Sequence, residues 1–355
     1  MYSFIAYISF FVVSLVFSIL INRILVKFSK NLGTRSKTDN LVRWNTGAKP
    51  SFGGISFFII FLLSIAALSF FFQDNALFHN YKLMGIIVAT ALGFITGLFD
   101  DAFNTKVYVK LFSQILCGVI LISTGTYITF FENTYLNYLL TIFWVVGMMN
   151  SINMLDNMDG ISTVVSLFIF IGILIENVLV RRMGIHVGII ILGINSALIG
   201  FLVYNWPPSK MFMGDTGSQF LGVLLAAFSI IFIWNYKEND LSEIPVKQFC
   251  AILLFFALPL IDTTTVSIKR ILRGSSPFVG GRDHTTHHLS YLGLSEKKVA
   301  WVFAVLSFIS MALGILCLNI TTWKSVYTIG FISYFIVLFS ILFYIANINK
   351  ERSLK

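Results

Sequence analysis

The chain has 355 residues, 57% of them hydrophobic and only 12% charged, with a formal net charge of +9 and a mean hydropathy of +0.86. That leaves too little polar surface for a soluble globule of this size, and the basic excess follows from membrane topology, so nucleic-acid binding is excluded as a class. The expected fold class is all-α: a polytopic membrane protein of about 10–11 transmembrane helices, with residues 1–355 forming a single integral domain.

Apolar runs of about 17 to 25 residues, enough to cross about 30 Å of hydrocarbon as helices, recur along the whole chain. In order they cover 3–25, 53–72, 83–99, 107–123, 135–149, 161–180, 187–204, 217–235, 247–268, 299–319 and 324–347. Two of them, 83–99 and 135–149, read as short. The runs are continuously apolar, without the alternation of barrel strands, which selects helices over a β-barrel. Met1 to Ser9 has no basic residue, and Arg23, Lys27 and Lys30 follow the first run, so it reads as a retained span and not a cleaved signal.

Placing the N-terminus outside puts 19 of the 25 Lys and Arg residues on the cytoplasmic side. Lys82, Arg181, Arg182, Lys237, Lys247 and Lys324 remain outside, with Asp74, Glu132, Glu238, Asp240 and Glu243. This asymmetry fits the positive-inside rule and predicts a multi-pass protein of the cytoplasmic membrane with its polar clusters facing the cytoplasm. Basic loops there would rest against anionic lipid head groups. Cys117, Cys250 and Cys317 show no paired spacing and read as small core residues.

Five polar clusters end apolar runs on that cytoplasmic side, the first being Lys49 to Gly54. The second is Asp100-Asp101. Adjacent carboxylates repel one another and are tolerable only beside a cation; Lys106 and Lys110 follow, with Lys110 one helical turn before Gln114. The same pair could instead cap a helix starting near Val107.

The third cluster runs from Asn150 to Gly160. At helical spacing Asn150, Asn153, Asp156 and Asp159 fall on one face, a polar stripe that implies a ligand; a self-satisfied helix-terminal loop with Gly160 left-handed is the bland alternative. The fourth, Met211 to Ser218, sets Gly214, Asp215, Thr216 and Gly217 at a helix start, where free N–H groups suit an anion and the carboxylate suits its metal, a capping turn being the alternative.

The fifth runs from Gly280 to Leu289. His284, His287 and His288 share a face if helical, and Arg282 adds a bidentate phosphate donor. Phosphate recognition is the preferred reading over zinc ligation, because the other clusters are carboxylates. His79 and His186 read as structural.

The Asp100-Asp101 pair with Lys110 and Gln114, the Asn150 to Gly160 run, the Met211 to Ser218 run and the late histidine motif, in this order, resemble the polyprenyl-phosphate N-acetylhexosamine-1-phosphate transferases of glycosyltransferase family 4. The resemblance extends from Pro50 to about Lys298. His287-His288-Leu289 followed by Leu292 to Ser295 is closer to the undecaprenyl-phosphate GlcNAc-1-phosphate transferase branch than to the pentapeptide branch of peptidoglycan synthesis. Ser51, Arg43-Trp44-Asn45, Asn157 and the spacing of His284 depart from the common pattern.

The resemblance implies transfer of a HexNAc-1-phosphate, foremost GlcNAc-1-phosphate, from a UDP-sugar to undecaprenyl phosphate, giving undecaprenyl-diphospho-sugar and UMP. It implies Mg2+, with Mn2+ as a substitute, held by Asp215. Asp100, Asp101, Asp156 and Asp159 would be catalytic, and Lys110, Asn150, Asn153, Arg282, His284, His287 and His288 would bind substrate. Membrane lipids would be further partners, and a homodimer is compatible with the fold. The rival readings are a pentapeptide transferase, a polytopic transporter with its charges near mid-membrane, and a non-catalytic lipid-phosphate binder.

Overall fold

The computed structural model describes residues 2–29, 49–71, 80–180, 185–236, 246–277 and 280–348. Lys30, Arg43 to Asn45, Asp74, His79, Arg181, Arg182, Lys237, Glu238, Asp240, Glu243 and the His186 side chain lie outside the described part. The described residues form helices joined by turns and loops: α1 Tyr2–Ser29, α2 Gly53–Phe71, α3 Tyr81–Phe103, α4 Val107–Ser123, α5 Thr134–Leu155, α6 Ile161–Val180 and α7 Ile185–Asn205. Then come α8 Gly214–Ser229, continued by a π-helical turn Ile230–Trp234, α9 Val246–Phe255, α10 Ala257–Leu272, α11 Thr285–Tyr291, α12 Glu296–Asn319 and α13 Ser325–Ile348.

Each apolar run of the sequence is helical over most of its described residues. Among the described residues, eight helices are long and apolar enough to cross a membrane, α9 and α10 make a ninth span if taken together, and α2 and α4 are shorter apolar helices. Hydropathy misjudged the two segments it read as short. α3 has 23 residues and α5 has 22, because each helix runs on past its apolar stretch into the polar cluster that follows.

The run 247–268 is not one straight span. It breaks at Phe256, where the axis bends by 78° between α9 and α10. Pro259 has no N–H to give to the Phe255 carbonyl, so the ladder is interrupted there.

Helix α8 is the axis of the bundle. Every one of its residues except Asp215 is buried, and it packs most extensively against α3 and α5, with α2 and α6 completing its surround. A helix buried all round is apolar all round, as the sequence from Phe220 to Phe228 shows. Aromatic rings fill the space between α2, α3, α7 and α8: Phe58 stacks on Phe94 at 4.0 Å, and Phe57 and Phe61 meet Phe201 and Phe220 edge-on at 5.1 and 5.6 Å. Helices α1 and α13 lie at the periphery with mostly exposed apolar faces, the surface a lipid environment covers.

Close backbone approach sets where the polar ends meet. A Cβ on Gly97 of α3 would collide with the Asp215 carbonyl, and one on Gly54 would collide with the Gly217 amide. The segment before α2 also pairs with the segment before α8: Phe212 N donates to Pro50 O at 2.9 Å, Gly53 N to Phe212 O at 3.2 Å and Gly54 N to Met213 O at 3.1 Å. The first and fourth polar clusters are thus joined through main chain.

Gly97→Ala should lower unfolding stability by about 1–3 kcal/mol, the usual cost of overpacking where backbone cannot move aside. Gly147→Ala is the control. Its Cβ meets nothing within 4 Å, so better helix propensity should leave stability equal or up to about 1 kcal/mol higher. Thermal unfolding of the detergent-solubilised proteins checks both, and equal midpoints for the two variants would refute the close-approach account.

Candidate functional site

A cavity of about 480 Å³ opens between the ends of α3, α5 and α10 and the starts of α4 and α12. Its walls bring together Asp100 and Lys110, Asn150 and Asn153, Asp156 to Asp159, Arg270, and His284. Asp215 stands at its edge, tied to two lining residues, Asn153 and Lys110. Residues from four polar clusters, spread along the chain from Asp100 to His284, therefore face one volume.

Asp100 and Asp101 serve different ends although adjacent. They lie in the last turn of α3, and Lys106 is the residue at the start of α4, so neither aspartate caps α4. Asp100 turns toward the cavity: Oδ1 accepts from Thr105 N at 2.9 Å and Thr105 Oγ1 at 2.7 Å, and Oδ2 accepts from Lys110 Nζ at 2.8 Å.

Asp101 turns to the start of α8. Its Oδ1 accepts from Asp215 N at 3.1 Å, and its Oδ2 from Thr216 N at 2.8 Å and Thr216 Oγ1 at 2.7 Å. The helix N-terminus expected to offer free N–H groups to an anion already holds one, and it is Asp101. Gly214, at φ +77, makes the left-handed step into α8.

Lys110 sits among acids. Its ammonium donates to Asp100 Oδ2 at 2.8 Å and Asn153 Oδ1 at 3.4 Å and lies 3.9 Å from Asp215 Oδ2. Asn153 Nδ2 donates to Asp215 Oδ1 and, at 2.9 Å, to Ser218 Oγ. Asp100 and Asp215 are themselves neighbours. With Asp101 balanced by the α8 dipole, two carboxylates face one ammonium, and the remaining negative charge suits a divalent cation.

Asp215 Oδ2, on a side chain 35% exposed, is the carboxylate oxygen best placed to meet such an ion. Among the described residues no three Asp, Glu, His or Cys side chains converge on one point. A cation here would complete its shell with water and ligand phosphate oxygens, the habit of Mg2+.

The four-residue polar stripe of the third cluster is only half helical. Helix α5 ends at Leu155, Asp156 is its C-cap, and Asp159 lies in the following turn. Asn150 exchanges hydrogen bonds with Gln114, Nδ2 to Oε1 at 2.8 Å and Gln114 Nε2 to Oδ1 at 3.2 Å. Asp159 is a hub: Oδ2 accepts from Ser209 N at 2.8 Å and from Lys49 Nζ at 3.2 Å, while Lys49 also donates to Ser209 Oγ at 3.0 Å. Gly160 is left-handed at φ +79, and its N–H goes to Asn205 Oδ1 at 3.1 Å.

The histidine motif departs most from expectation. Helix α11 begins at Thr285, so His284 precedes it and the three rings share no helix face. His284 lines the cavity; His287 and His288, 1% and 0% exposed, do not, and neither does Arg282. Burial first, and then the positive charge of His284 beside it, push the His287 pKa down to about 3. Burial and the Lys269 ammonium, 3.0 Å from its Nε2, push His288 down to about 4. Neutral, enclosed imidazoles do not reach a phosphate as placed here.

Sequence reading missed Asp262 and Arg270. Asp262 Oδ2 meets His284 Nδ1 at 2.8 Å, and its Oδ1 accepts from Thr285 N and Oγ1 at 2.8 and 2.7 Å. Arg270 holds Asp283 through two bonds, Nη2 to Oδ1 at 2.7 Å and Nε to Oδ2 at 3.1 Å. Burial alone would raise the Asp283 pKa, but Arg270 outweighs it and holds the carboxyl below its usual range. An acid and a base inside or just after an apolar run were the available signal.

Asp101→Ala should leave the first N–H groups of α8 without their acceptor and destabilise the protein by about 2–3 kcal/mol, read as a lower thermal midpoint; no change would mean that water or another group replaces the carboxylate. The histidines add a pH dependence. Both have folded pKa values depressed below about 6.5, so the unfolded chain takes up more protons as pH falls. Stability should hold above about pH 6.5 and fall on acidification toward pH 4, by about 1 kcal/mol per pH unit for each ring. Unfolding measured from pH 7.5 to 5 should show this slope, and His287→Asn should make it shallower.

The family described as glycosyl transferase family 4 matches residues 83–233, the stretch that carries Asp100, Lys110, Asn153 and Asp215. The chain is 28% identical over 332 residues to the "Probable undecaprenyl-phosphate N-acetylglucosaminyl 1-phosphate transferase" of Bacillus subtilis, an alignment covering 90% of this chain and 87% of that one. It is also 28% identical to a phospho-N-acetylmuramoyl-pentapeptide-transferase of Carboxydothermus hydrogenoformans, over 75% of this chain and 83% of the other. A third relative, the protein of that name from Streptococcus agalactiae, is 29% identical over 77% of this chain and 84% of its own length. Multiple membrane-crossing helices, a polar cavity gathered at their ends and these likenesses agree: residues 83–233 are similar to glycosyl transferase family 4, and the chain is a multi-pass membrane phospho-sugar transferase.

Proposed function

We propose that the protein transfers an N-acetylhexosamine-1-phosphate, foremost GlcNAc-1-phosphate, from a UDP-sugar to undecaprenyl phosphate, at the cytoplasmic face of the cell membrane. The observation that carries this reading is Lys110 between Asp100 and Asp215 on the rim of a cavity large enough for a nucleotide sugar. The Bacillus subtilis relative, whose name states this reaction, aligns over more of the chain than the pentapeptide transferases do. The excess of Lys and Arg in the connections at the cavity end supports the cytoplasmic orientation.

In this reading an oxygen of the lipid phosphate attacks the β-phosphorus of the donor, a new P–O bond forms, and the bond to the UMP oxygen breaks. A phosphate monoester has its second pKa near 6, so the nucleophile is already charged at neutral pH and needs no general base. The protein's share is positioning and charge. Lys110 lies where it can meet a phosphate oxygen while Asp100 and Asn153 fix its ammonium. Asn153 orients Asp215, and Asp156 and Asn157 face the space that the nucleotide would fill. Mg2+ bound beside Asp215 would neutralise the diphosphate and the departing UMP. Asp101 and Asp159 act as framework: one anchors α8, the other holds Lys49 and Ser209.

The test is exchange of labelled UMP into UDP-GlcNAc by purified protein with undecaprenyl phosphate, in Mg2+ and again in EDTA. Exchange should require the metal and fall by at least about 10²-fold in Asp215→Asn, the loss expected when a charge-stabilising group is removed. Exchange on UDP-MurNAc-pentapeptide in place of UDP-GlcNAc would move the protein to the pentapeptide branch, and undiminished exchange in Asp215→Asn would remove that residue from the site.

A further inference from the structure

At the back of the cavity His284 of the fifth polar cluster meets Asp262, a residue that none of the sequence motifs contains. Asp262 belongs to α10, within a stretch apolar enough to be read as a membrane span, and is 1% exposed. Its Oδ1 takes the amide and hydroxyl of Thr285, and its Oδ2 takes Nδ1 of His284. The cations of the same helix are directed elsewhere: Arg270 holds Asp283 and the Pro277 carbonyl, and Lys269 donates to the Ala346 carbonyl at 2.6 Å and lies against His288. Among the described groups acting on Asp262, His284 is the one able to bring positive charge.

A carboxylate this far from water needs a compensating charge as well as donors. Thr285 supplies two donors and no charge, so an imidazolium at His284 completes the balance. The second ring nitrogen then also carries a proton, and the ring lines the cavity. The other groups around it agree. His287, whose ring centroid is 5.4 Å away, is neutral, and Asp283 is neutralised by Arg270.

We propose that Asp262 is a positioning residue for the transfer: it holds His284 as an imidazolium through Nδ1–H and so aims Nε2–H into the cavity as a donor to a phosphate oxygen of the bound nucleotide. The transferase reading supplies the identity of that ligand. The state of the ring stands on the pair alone.

Two readouts separate these. In protein carrying isotope-labelled histidine, with the His284 resonance assigned through His284→Gln, the ring should titrate above the ordinary value of about 6.5 and at least about one pH unit lower in Asp262→Asn, a tenfold loss of proton affinity. UMP exchange by Asp262→Asn should be lost steeply above pH 7 and partly recovered near pH 6, where the uncompensated ring is protonated again. Thr285→Val removes a hydroxyl bond to the same carboxylate but leaves the ring pair, and should keep the parent titration.

A His284 that titrates alike in the parent and in Asp262→Asn, or exchange reduced by one factor at every pH, overturns the proposal and leaves Asp262 a structural anchor of α11. Should Asp262→Asn fail to fold, the parent decides: a His284 titrating at or below about 6.5 overturns it equally. A shifted titration in a protein that exchanges no donor supports the pair and sinks the transferase reading.

Discussion

An α-helix that begins inside an apolar bundle exposes its first amide N–H groups where water cannot answer them, and α8 begins that way, with its first turn enclosed by α2 and α3. Asp101 meets that need. A single carboxylate from the end of α3 takes two backbone amides and a hydroxyl at the start of α8, and the bond is short because Gly97 lets the two backbones touch. The buried axis of the molecule is thereby registered against α3 at the level where the polar groups gather. Asp215 becomes the one residue of α8 outside the core.

From that registration the charge arrangement follows. Lys110 on α4 lies between Asp100 and Asp215 and is steadied by Asn153 on α5, so four helices contribute to one electrostatic unit. Behind it a second unit of Asp262, His284, Arg270 and Asp283 forms around the loop between α10 and α11. Thr286 Oγ1 donates to Asn157 Oδ1 at 2.6 Å and joins this unit to the turn after α5. Groups whose partners are protein atoms need little reorganisation when charge develops on a ligand between them, which is the physical advantage of such a site for phosphoryl transfer.

The extent to which this was legible in the chain differs by residue. The helical, membrane-crossing architecture was legible because hydrocarbon permits few alternatives, and each of the eleven apolar runs is helical over most of its described residues. The gathering of Asp100, Lys110, Asn153, Asp156 and Asp215 at one end of the bundle followed from counting spans and basic residues. The histidines were not legible in the same way. Spacing suggested a shared face, but α11 starts one residue too late, and His287 and His288 turn into protein. The bend at Phe256 was also hidden, since Pro259 sits inside a run whose hydropathy is uninterrupted.

Sequence by itself determined the solvent, the helical class and which polar residues stand at helix ends, because these depend on the transfer free energy of consecutive residues and on side-chain charge, both additive along the chain. Tertiary structure alone decided what each carboxylate does. Asp100 and Asp101 are neighbours of one chemical type, yet one faces a cavity and the other terminates a helix; Asp159 binds Lys49 across 110 positions, and Asp262 is matched to His284 rather than to either basic residue of its own helix. Partner choice rests on direction and on distances of about 3 Å, which change completely with a rotation of one residue about a helix axis and leave no trace in composition or spacing.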